Sequence, residues 1–386
     1  MPADTLSVFA ACAPGLERFL ARELLALGVT EPRVVPGGVE FDGGLRDVYR
    51  ANLELRLASR VLVRIGHFHA REFWELDKRA ARLEWERYLR PGRPVAVRAT
   101  SHQSRLYHTD AVAERVAQAI AKRLGQPVSR QAAADDDGEA PSHTAPLVVV
   151  RLDGDAVTVS VDSSGELLHR RGYRLATAKA PLRETLAAGL LAAAAWDRAG
   201  PLLDPFCGSG TIAIEAAQWA RGLRPGRGRQ FRFMEWPRYE ARLWQSLQSA
   251  AEAPAGPPPV ILASDRDAGA ITAARANAER AGVAEAITFA RQAVSAMAPP
   301  AGPGWVVTNP PYGRRVSSAS DPAALLDLYA AFGQTLRERC PGWQVAFLCP
   351  EERLARATGL RFDLGRAAHL VNGGVAVTVW QARVAR

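Results

Sequence analysis

Residues 201–217, PLLDPFCGSGTIAIEAA, have the pattern of a short buried strand, a glycine turn and a helix. Two leucines run into Asp204 without a polar interruption, as in a parallel strand that is covered on both faces. Gly208 and Gly210 permit a positive φ and let a ligand approach the backbone closely. Thr211 is predicted to cap the helix. Such a unit directs free backbone N–H groups toward a ligand.

The carboxylate of Asp204 indicates which ligand this turn binds. A pyrophosphate is repelled by a carboxylate at the strand end, whereas a ligand with an amino group and a sulfonium is attracted to it. The glycine spacing also differs from the GxGxxG of dinucleotide-binding turns. We therefore predict a site for S-adenosylmethionine. The alternative is a turn that only packs a helix closely against a strand.

The composition is that of a globular protein with two or three domains. The chain has 386 residues, of which 48% are hydrophobic and 23% charged. No apolar run reaches membrane-spanning length and no basic segment precedes an apolar one at the N-terminus, so we expect a cytoplasmic protein without membrane contact. The four cysteines are too scattered for a zinc site or a disulfide framework, so we expect free thiols and no metal.

The charge balance predicts an anionic polymer as partner. The formal net charge is +9, and Lys78, Lys122 and Lys179 are the only lysines among 49 basic residues. Arginine favours bidentate contacts to phosphate. Biased codon usage could account for the ratio of arginine to lysine, but it does not account for the excess of basic over acidic residues.

Strand and helix patterns alternate along the whole chain. In the first half, strand patterns fall at 61–68, 94–100, 147–152 and 156–161, and helix patterns at 45–57 and 72–83. In the second half, strand patterns fall at 260–265, 287–290, 305–308, 344–349 and 375–384, with helices between them. This second half predicts a doubly wound sheet that binds ligands at the carboxyl ends of its strands.

Two basic segments are candidates for RNA contact. Ser104 to Thr109, SRLYHT, joins a strand to a basic helix, and His169 to Arg174, HRRGYR, is expected to face the substrate between the two halves. An acidic stretch at 132–146 is predicted to be a loop between strands. The predicted RNA-binding residues are Arg98, Ser104, Arg105, Tyr107, His108, Lys122, Arg123, His169, Arg170, Arg171, Tyr173 and Arg174.

The motif that carries the most chemistry is Asn309-Pro310-Pro311-Tyr312, after the fourth strand of the second half. Methylation of an exocyclic amine is difficult because its lone pair is delocalised into the base. The Asn309 amide oxygen and the Pro310 carbonyl can each accept one amino hydrogen, and the consecutive prolines fix the backbone that aims them. The ring of Tyr312 offers a surface on which a flipped-out base stacks. The alternative is a Pro-Pro turn with an asparagine cap.

A second acidic side chain ends the next strand of the predicted sheet. Asp265 occupies the position where a carboxylate contacts ribose hydroxyls of a bound nucleoside. Asp267, two residues on, fits the N-cap of the following helix.

The sequence resembles the THUMP-domain guanine-N2 RNA methyltransferases of the large-subunit ribosomal RNA branch, once described as N6-adenine-specific DNA methylases. The resemblance extends over nearly the whole chain. Its markers are FAACAPGLE (9–17), GGVEFDG (37–43), SRLYHT (104–109), HRRGYR (169–174), APLRETLAA (180–188), LDPFCGSGTIAIEAA (203–217), FMEW (233–236) and TNPPYG (308–313).

This resemblance implies an α/β protein in three parts: a ferredoxin-like domain at 1–60, an RNA-binding THUMP domain at 61–165, and a Rossmann-like class I methyltransferase domain at 166–386. The family usually has an acid after the third strand, where Ala293 stands here, so we expect either a lower cofactor affinity or substitution by Gln292. The expected cofactor-binding residues are Pro181, Asp204, Pro205, Phe206, Cys207, Gly208, Ser209, Gly210, Asp265, Arg266, Gln292 and Asn309.

The leading hypothesis is an enzyme that methylates guanine N2 in 23S ribosomal RNA with S-adenosylmethionine, without an obligatory protein partner. Guanine-N2 methylation of tRNA is the close alternative. Adenine-N6 methylation of nucleic acid is more distant, since the Asn-Pro-Pro-Tyr mechanism serves any conjugated amine. A non-catalytic RNA-binding assembly factor is the alternative of another class, and measured cofactor binding separates it from the enzymes.

Overall fold

The structure, a computed structural model, describes residues 5–125, 130–131, 145–175, 182–250, 256–312 and 322–385. It divides into two compact units. The first comprises Met1–Cys12, Leu20–Leu168 and Gly226–Ala250, and the second comprises Ala13–Phe19, His169–Pro225 and Ala251–Arg386. The division at residues 60 and 165 expected from the sequence stays a prediction.

The N-terminal part of the chain mixes strands and helices. Its elements are β1 (Leu6–Cys12), α1 (Glu17–Ala26), β2 (Arg33–Val35), β3 (Gly38–Gly43), α2 (Leu45–Glu54), β4 (Ala58–His69), α3 (Phe73–Ala80), β5 (Val95–His102), α4 (Thr109–Leu124), β6 (Arg130–Gln131), β7 (Leu147–Asp153) and β8 (Ala156–Asp162).

The C-terminal part alternates helices with strands. Its elements are α5 (Glu184–Ala193), β9 (Leu202–Asp204), α6 (Thr211–Ala220), α7 (Ala241–Ser249), β10 (Ile261–Asp265), α8 (Ala268–Arg280), β11 (Ile287–Arg291), β12 (Trp305–Thr308), α9 (Pro322–Arg339), β13 (Gln344–Cys349), α10 (Glu352–Ala357), β14 (Ala368–Asn372) and β15 (Val375–Arg383).

In the first unit, the described strands form one sheet in the order β2-β3-β1-β4-β8-β7-β5-β6. Neighbours run antiparallel except that β5 is parallel to both β7 and β6. Alternate residues of β1 are buried, as expected of a strand with one face on the core. Leu20 and Leu24 of α1 are fully buried because they recur at helical spacing on one face of that helix.

Residues 226–250 lie far along the chain but group with the first unit. The ring of Phe233 stacks on that of Tyr49 with a centroid distance of 4.2 Å, and the ring of Trp236 meets that of Tyr88 edge-on at 5.0 Å. The backbone N–H of Glu240 donates to the Tyr49 hydroxyl at 3.1 Å. Phe233 and Trp236 of the FMEW motif therefore belong to an aromatic cluster that includes Tyr49 of α2 and Tyr88, which lies between α3 and β5.

The second unit has a mixed sheet in the order β11-β10-β9-β12-β13-β15-β14. The strands from β11 to β13 run parallel, whereas β15 pairs antiparallel with both β13 and β14. The strand order reverses between β9 and β12, so a crevice is expected at their carboxyl ends. Helix α9 packs Tyr329, Phe332 and Leu336 against a core that includes Val306 and Phe347.

Most elements predicted from the sequence are confirmed, including the parallel α/β core and the late strand β15. The helix after the glycine turn is an exception at its first residue, because Gly210 in the left-handed conformation is its N-cap and Thr211 is already helical. Strand β14 has no counterpart among the predicted elements. Most of the loop predicted at 132–146 lies outside the described residues, as do Pro181 and Gly313.

Candidate active site

The glycine turn follows β9 and is tight. Gly208 and Gly210 have φ values of 50° and 84°, and the N–H of Gly210 donates to the Cys207 carbonyl at 2.8 Å. A Cβ on Gly210 would lie 3.0 Å from the Cβ of Ala274 in α8, so the helix packs directly on the turn. A Cβ on Gly208 would meet no described atom within 4 Å. The turn thus presents bare backbone toward open space.

Asp204 is buried at the end of β9. Its Oδ1 accepts a hydrogen bond from the Thr308 hydroxyl at 2.6 Å, while Oδ2 has no hydrogen-bond partner among the described residues. Burial raises the pKa of the Asp204 carboxyl to about 7, and the charge of Asp265 adds to this rise while the Thr308 hydroxyl opposes it. A buried carboxylate with an unpaired oxygen favours a cationic ligand.

Asp265 ends β10 and holds the glycine turn. Its Oδ2 accepts the N–H of Gly208 and its Oδ1 accepts the N–H of Asp267, both at 3.0 Å. Each oxygen keeps a further lone pair that a ribose hydroxyl can use. Asp267 caps α8 by accepting the N–H of Gly269 at 2.7 Å, which confirms its predicted role.

A cavity of about 160 Å³ opens beside the turn in the second unit. Its walls come from β9, β10, β11 and the segment after β11, and Leu203, Pro205, Ala290 and Met297 give it a largely apolar lining. Gln292 also lines it, whereas Ala293 is exposed. A flat base suits such walls, and the Gln292 amide offers it both a donor and an acceptor.

The Asn-Pro-Pro-Tyr motif follows β12, the neighbour of β9. The side-chain Oδ1 of Asn309 is buried and has no hydrogen-bond partner among the described residues. The Tyr329 hydroxyl donates to the Pro311 carbonyl at 3.4 Å. The hydroxyl of Tyr312 accepts a hydrogen bond from Nδ2 of Asn372 at 2.8 Å. The motif is therefore anchored from α9 and β14.

These observations test whether the predicted cofactor fits. An unpartnered buried carboxylate oxygen, a glycine turn facing open space and an apolar cavity lie at the carboxyl ends of neighbouring strands. Each feature matches one part of a sulfonium nucleoside. The carboxylate oxygen suits its cation, the glycine turn lets its chain approach the backbone, and the cavity suits its flat base. The residues present therefore fit S-adenosylmethionine.

Three further residues that were predicted to bind the cofactor differ in exposure. Phe206 packs its ring edge-on against that of Phe332 with a centroid distance of 5.4 Å, Ser209 is buried and Arg266 is exposed.

The glycine turn also has a support that was not predicted from the sequence. Nδ2 of the buried Asn277 in α8 donates to the Ser209 carbonyl at 3.1 Å. Arg280 donates to Oδ1 of the same asparagine and, through Nε, to the Tyr173 carbonyl at 2.8 Å. The signal for Asn277 is a polar residue on the otherwise apolar face of a predicted helix.

The HRRGYR segment differs from its prediction. The Arg171 and Arg174 side chains are only 3% and 11% exposed, and they pair with Glu215 and Glu184 respectively. The Tyr173 hydroxyl also donates to Glu215, at 3.1 Å. These carboxylates pair with the basic charges inside the second unit, so the two arginines and the tyrosine are buried and not exposed as expected, and their contact with RNA stays a prediction.

His169 is buried in the same cluster. Burial and the positive charges of the surrounding arginines lower the pKa of His169 to about 3. The ring is therefore neutral at physiological pH and cannot contribute a cation to an RNA phosphate. Arg170 is half-buried.

The other predicted RNA contacts lie on the first unit, and several are exposed. The Arg105 side chain is 68% exposed and Tyr107 is 67% exposed, with its ring 4.1 Å from that of His108. Asp155 and Ser104 fix this loop, since the N–H of Arg105 donates to Asp155 and the N–H of Asp155 donates to Ser104. An arginine and two rings thus share one exposed loop.

The remaining candidates of the first unit differ in their surroundings. Arg123 is paired with Glu86 by hydrogen bonds that include one from Nε at 3.1 Å. Lys122 is exposed on the same helix, and Arg98 is half-buried on β5.

Within the described ranges, no group of three or more potential metal ligands occurs. No described helix is both long and apolar enough to cross a membrane. The four cysteines are buried and are not joined by disulfides.

Comparison with known proteins places these features in a family. The family model of RMKL-like methyltransferase domains matches residues 171–379, that of the RlmL ferredoxin-like domain matches 7–62, and that of the THUMP domain matches 70–137. Ribosomal RNA large subunit methyltransferase K/L of Methylococcus capsulatus is 37% identical over 380 residues, which cover 96% of this chain and 50% of that protein. The chain spans about half the length of the curated relatives it matches.

Two solved structures share the fold over their whole length. A methyltransferase, SMU.472, complexed with SAH, has a TM-score of 0.87 at 29% identity, and the match covers 99% of each chain. A predicted N6-adenine-specific DNA methylase from Listeria monocytogenes has a TM-score of 0.84 at 32% identity, covering 98% of this chain and 96% of that one. The glycine turn, the paired strand-end acids and the domain matches agree, and the chain belongs to the RMKL-like methyltransferase family.

Proposed function

We propose that this chain transfers a methyl group from S-adenosylmethionine to the N2 amine of a guanine in large-subunit ribosomal RNA. One observation carries the proposal. Two buried side-chain oxygens, Oδ2 of Asp204 and Oδ1 of Asn309, have no hydrogen-bond partner among the described residues and belong to the ends of the neighbouring strands β9 and β12. A buried unpaired oxygen is costly unless a ligand completes it.

The cofactor side of the site is assigned to the ends of β9, β10 and β11. S-adenosylmethionine, when bound, supplies the methyl group on a cationic sulfur. Asp204 contributes the negative charge that this cation requires. Burial disfavours the ionised form of the Asp204 carboxyl, so a bound cation stabilises that form. Asp265 accepts from the ribose while it keeps the turn in place, and Gln292 contacts the base in the role that an acid has in the family.

The substrate side is assigned to the segment after β12. The Oδ1 of Asn309 and the carbonyl of Pro310 accept the two hydrogens of the exocyclic amine, which returns electron density to the nitrogen and makes it nucleophilic. Tyr312 stacks on the flipped base. Pro310 and Pro311 restrict the backbone, so both acceptors are oriented before the substrate arrives.

RNA capture is assigned to the exposed loop of the first unit. The guanidinium of Arg105 and the rings of Tyr107 and His108 combine a phosphate contact with stacking surfaces. Lys122 adds a phosphate contact from α4. Support comes from the exposure of these side chains and from the THUMP match at 70–137. A ribosomal RNA substrate places the enzyme in the cytoplasm.

The test is identification of the methylated nucleoside. The purified chain is incubated with methyl-labelled S-adenosylmethionine and, separately, with unmodified large-subunit ribosomal RNA, tRNA and DNA, and the products are digested to nucleosides. We expect N2-methylguanosine from ribosomal RNA and none from the Asn309→Ala variant. If N2-methylguanosine formed only with tRNA, the proposed substrate would be wrong and tRNA would replace ribosomal RNA. Formation of N6-methyladenine would instead favour adenine-N6 methylation, the activity in the name of the Listeria protein.

A further inference from the structure

We propose that Asn372 is a positioning residue for the reaction and acts by holding the hydroxyl of Tyr312. The inference rests on the proposed function, because it assigns Tyr312 to the capture of the substrate base. Nδ2 of Asn372 donates to the Tyr312 hydroxyl at 2.8 Å, although the two residues are 60 positions apart. Asn372 is 8% exposed, so water does not readily replace this contact.

The position of Asn372 in the sheet makes it a rigid anchor. It is the last residue of β14 and pairs with Val375, the first residue of β15. Gly373 and Gly374 form the two-residue turn between them with φ values of 55° and 79°. Two left-handed residues are the conformation of the favoured tight hairpin turn. The hairpin therefore fixes the backbone of Asn372, and burial restricts its side chain.

The consequence concerns the orientation of the tyrosine ring. The ring packs partly against the core cluster that contains Tyr329 and Phe347, which fixes one side of it. The hydroxyl contact fixes its far end. A ring that must accept a flipped base in one orientation loses less freedom on binding when both ends are already held.

The hairpin offers a matched control. Three register positions along the hairpin from the Asn372–Val375 pair, Nδ1 of His369 and the hydroxyl of Thr378 are hydrogen-bonded at 3.1 Å across the same two strands, with His369 exposed and Thr378 half-buried. Thr378→Val removes that bond at small change in volume and leaves Tyr312 untouched. It therefore separates loss of a hairpin hydrogen bond from loss of the tyrosine contact.

The experiment is a double-mutant cycle of Asn372→Ala and Tyr312→Phe, read by single-turnover methyl transfer at saturating RNA and cofactor. Each single variant is expected to slow transfer about 3- to 10-fold, as for one lost hydrogen bond. The double variant is expected to be no slower than the slower single variant, because both remove the same contact. The cofactor dissociation constant and the rate of Thr378→Val are expected to match those of the wild type.

Additive losses in the cycle, or a wild-type rate for Asn372→Ala, would overturn the proposal. A second readout keeps it testable if the wild type methylates no RNA at all. With 3-fluorotyrosine in place of tyrosine, the ¹⁹F resonance absent from Tyr312→Phe identifies Tyr312, and Asn372→Ala should shift it while Thr378→Val should not. An unmoved resonance would refute the anchor, whereas a moved resonance without transfer would count against the proposed function alone.

Discussion

Asp204 and Asn309 stand at the ends of adjacent parallel strands, and each keeps one buried oxygen without a hydrogen-bond partner among the described residues. Thr308 connects them, since it precedes Asn309 in the chain and its hydroxyl donates to Oδ1 of Asp204 at 2.6 Å. The other two oxygens are thereby left for ligands. In the proposed function, the Asp204 oxygen serves the cofactor cation and the Asn309 oxygen serves the substrate amine.

The first prediction concerns Asp204 and pH. Because the folded-state pKa of about 7 lies above the ordinary value of 3.8, the folded protein binds more protons than the unfolded chain between these values. The stability contributed by this group therefore falls as pH rises from about 4 to about 7. Asp204→Asn keeps the Thr308 contact without a charge to bury. We expect its thermal midpoint without cofactor to exceed that of the wild type by roughly 5 °C at pH 8.

The same substitution should weaken cofactor binding, because it removes the charge that attracts the cation. Calorimetry at pH 8 is expected to show at least a tenfold loss, about 1.4 kcal/mol. Thermal midpoints of both proteins near pH 4, where the Asp204 carboxyl of the folded wild type is protonated and little stability has yet been lost, are the control and should lie closer together. A variant that is less stable than the wild type at pH 8 would contradict the assignment.

The second prediction separates two neighbouring aspartates. Asp265→Ala removes the acceptor that holds the Gly208 N–H, so it should weaken S-adenosylmethionine binding by about 1–3 kcal/mol. Asp267→Ala removes only the cap of α8 and should lower stability by about 1 kcal/mol while cofactor affinity stays near normal. Isothermal titration and denaturant unfolding of both variants check this pair. Equal affinity losses would show that the turn is not held by Asp265 in particular.

The third prediction uses the open space at Gly208. Gly208→Ala meets no described atom, so without cofactor it should lose only about 1 kcal/mol for the left-handed backbone. Gly28→Ala is the matched control, since Gly28 has a φ of 81° and equally open surroundings. Only Gly208→Ala is expected to weaken cofactor binding, by at least about tenfold, because its methyl group occupies the ligand side of the turn. Unchanged cofactor binding would place the ligand elsewhere.

The fourth prediction addresses the amine acceptor. Asn309→Ala removes one of two oriented acceptors and should slow methyl transfer about 10²- to 10³-fold in single-turnover conditions. Its cofactor dissociation constant should remain near that of the wild type. Gln292→Ala should show the reverse pattern, with weaker cofactor binding and a nearly normal rate at saturation. Transfer at the wild-type rate by Asn309→Ala would reduce the motif to a structural turn.

The fifth prediction distinguishes exposed from buried arginines. Arg105→Ala should weaken RNA binding and reduce the slope of log affinity against log salt by about 0.7–0.9, as for one lost phosphate contact. Tyr107→Ala should weaken binding by about 1–3 kcal/mol with little change in that slope. Arg174→Ala should instead lower stability by about 3–5 kcal/mol, because it leaves Glu184 buried without its partner.

Filter binding at several salt concentrations and thermal unfolding provide the measurements. If Arg174→Ala keeps its thermal midpoint but loses RNA affinity, the HRRGYR segment contacts RNA after all. If Arg105→Ala changes neither the RNA affinity nor the slope of log affinity against log salt, the exposed loop of the first unit is not the RNA surface.

Local sequence determined the elements of the site. The strand ends at Asp204, Asp265 and Thr308, the glycine turn and the cap at Asp267 depend on residues within a few positions of one another, so apolar runs and turn residues were sufficient to predict them. The parallel order of the second half followed from the alternation of these elements.

The tertiary structure decided which side chains remain available to a ligand. The letters HRRGYR specify positive charge, but only the fold brings Glu184 and Glu215 to Arg174 and Arg171 and so removes that charge from the surface. Asn372 and Tyr312 meet because β14 joins the sheet through β15, a pairing that no local pattern encodes. The physical reason is common to both cases: partners distant in sequence are selected by burial and charge in the folded state, and a single sequence records the groups but not their pairing.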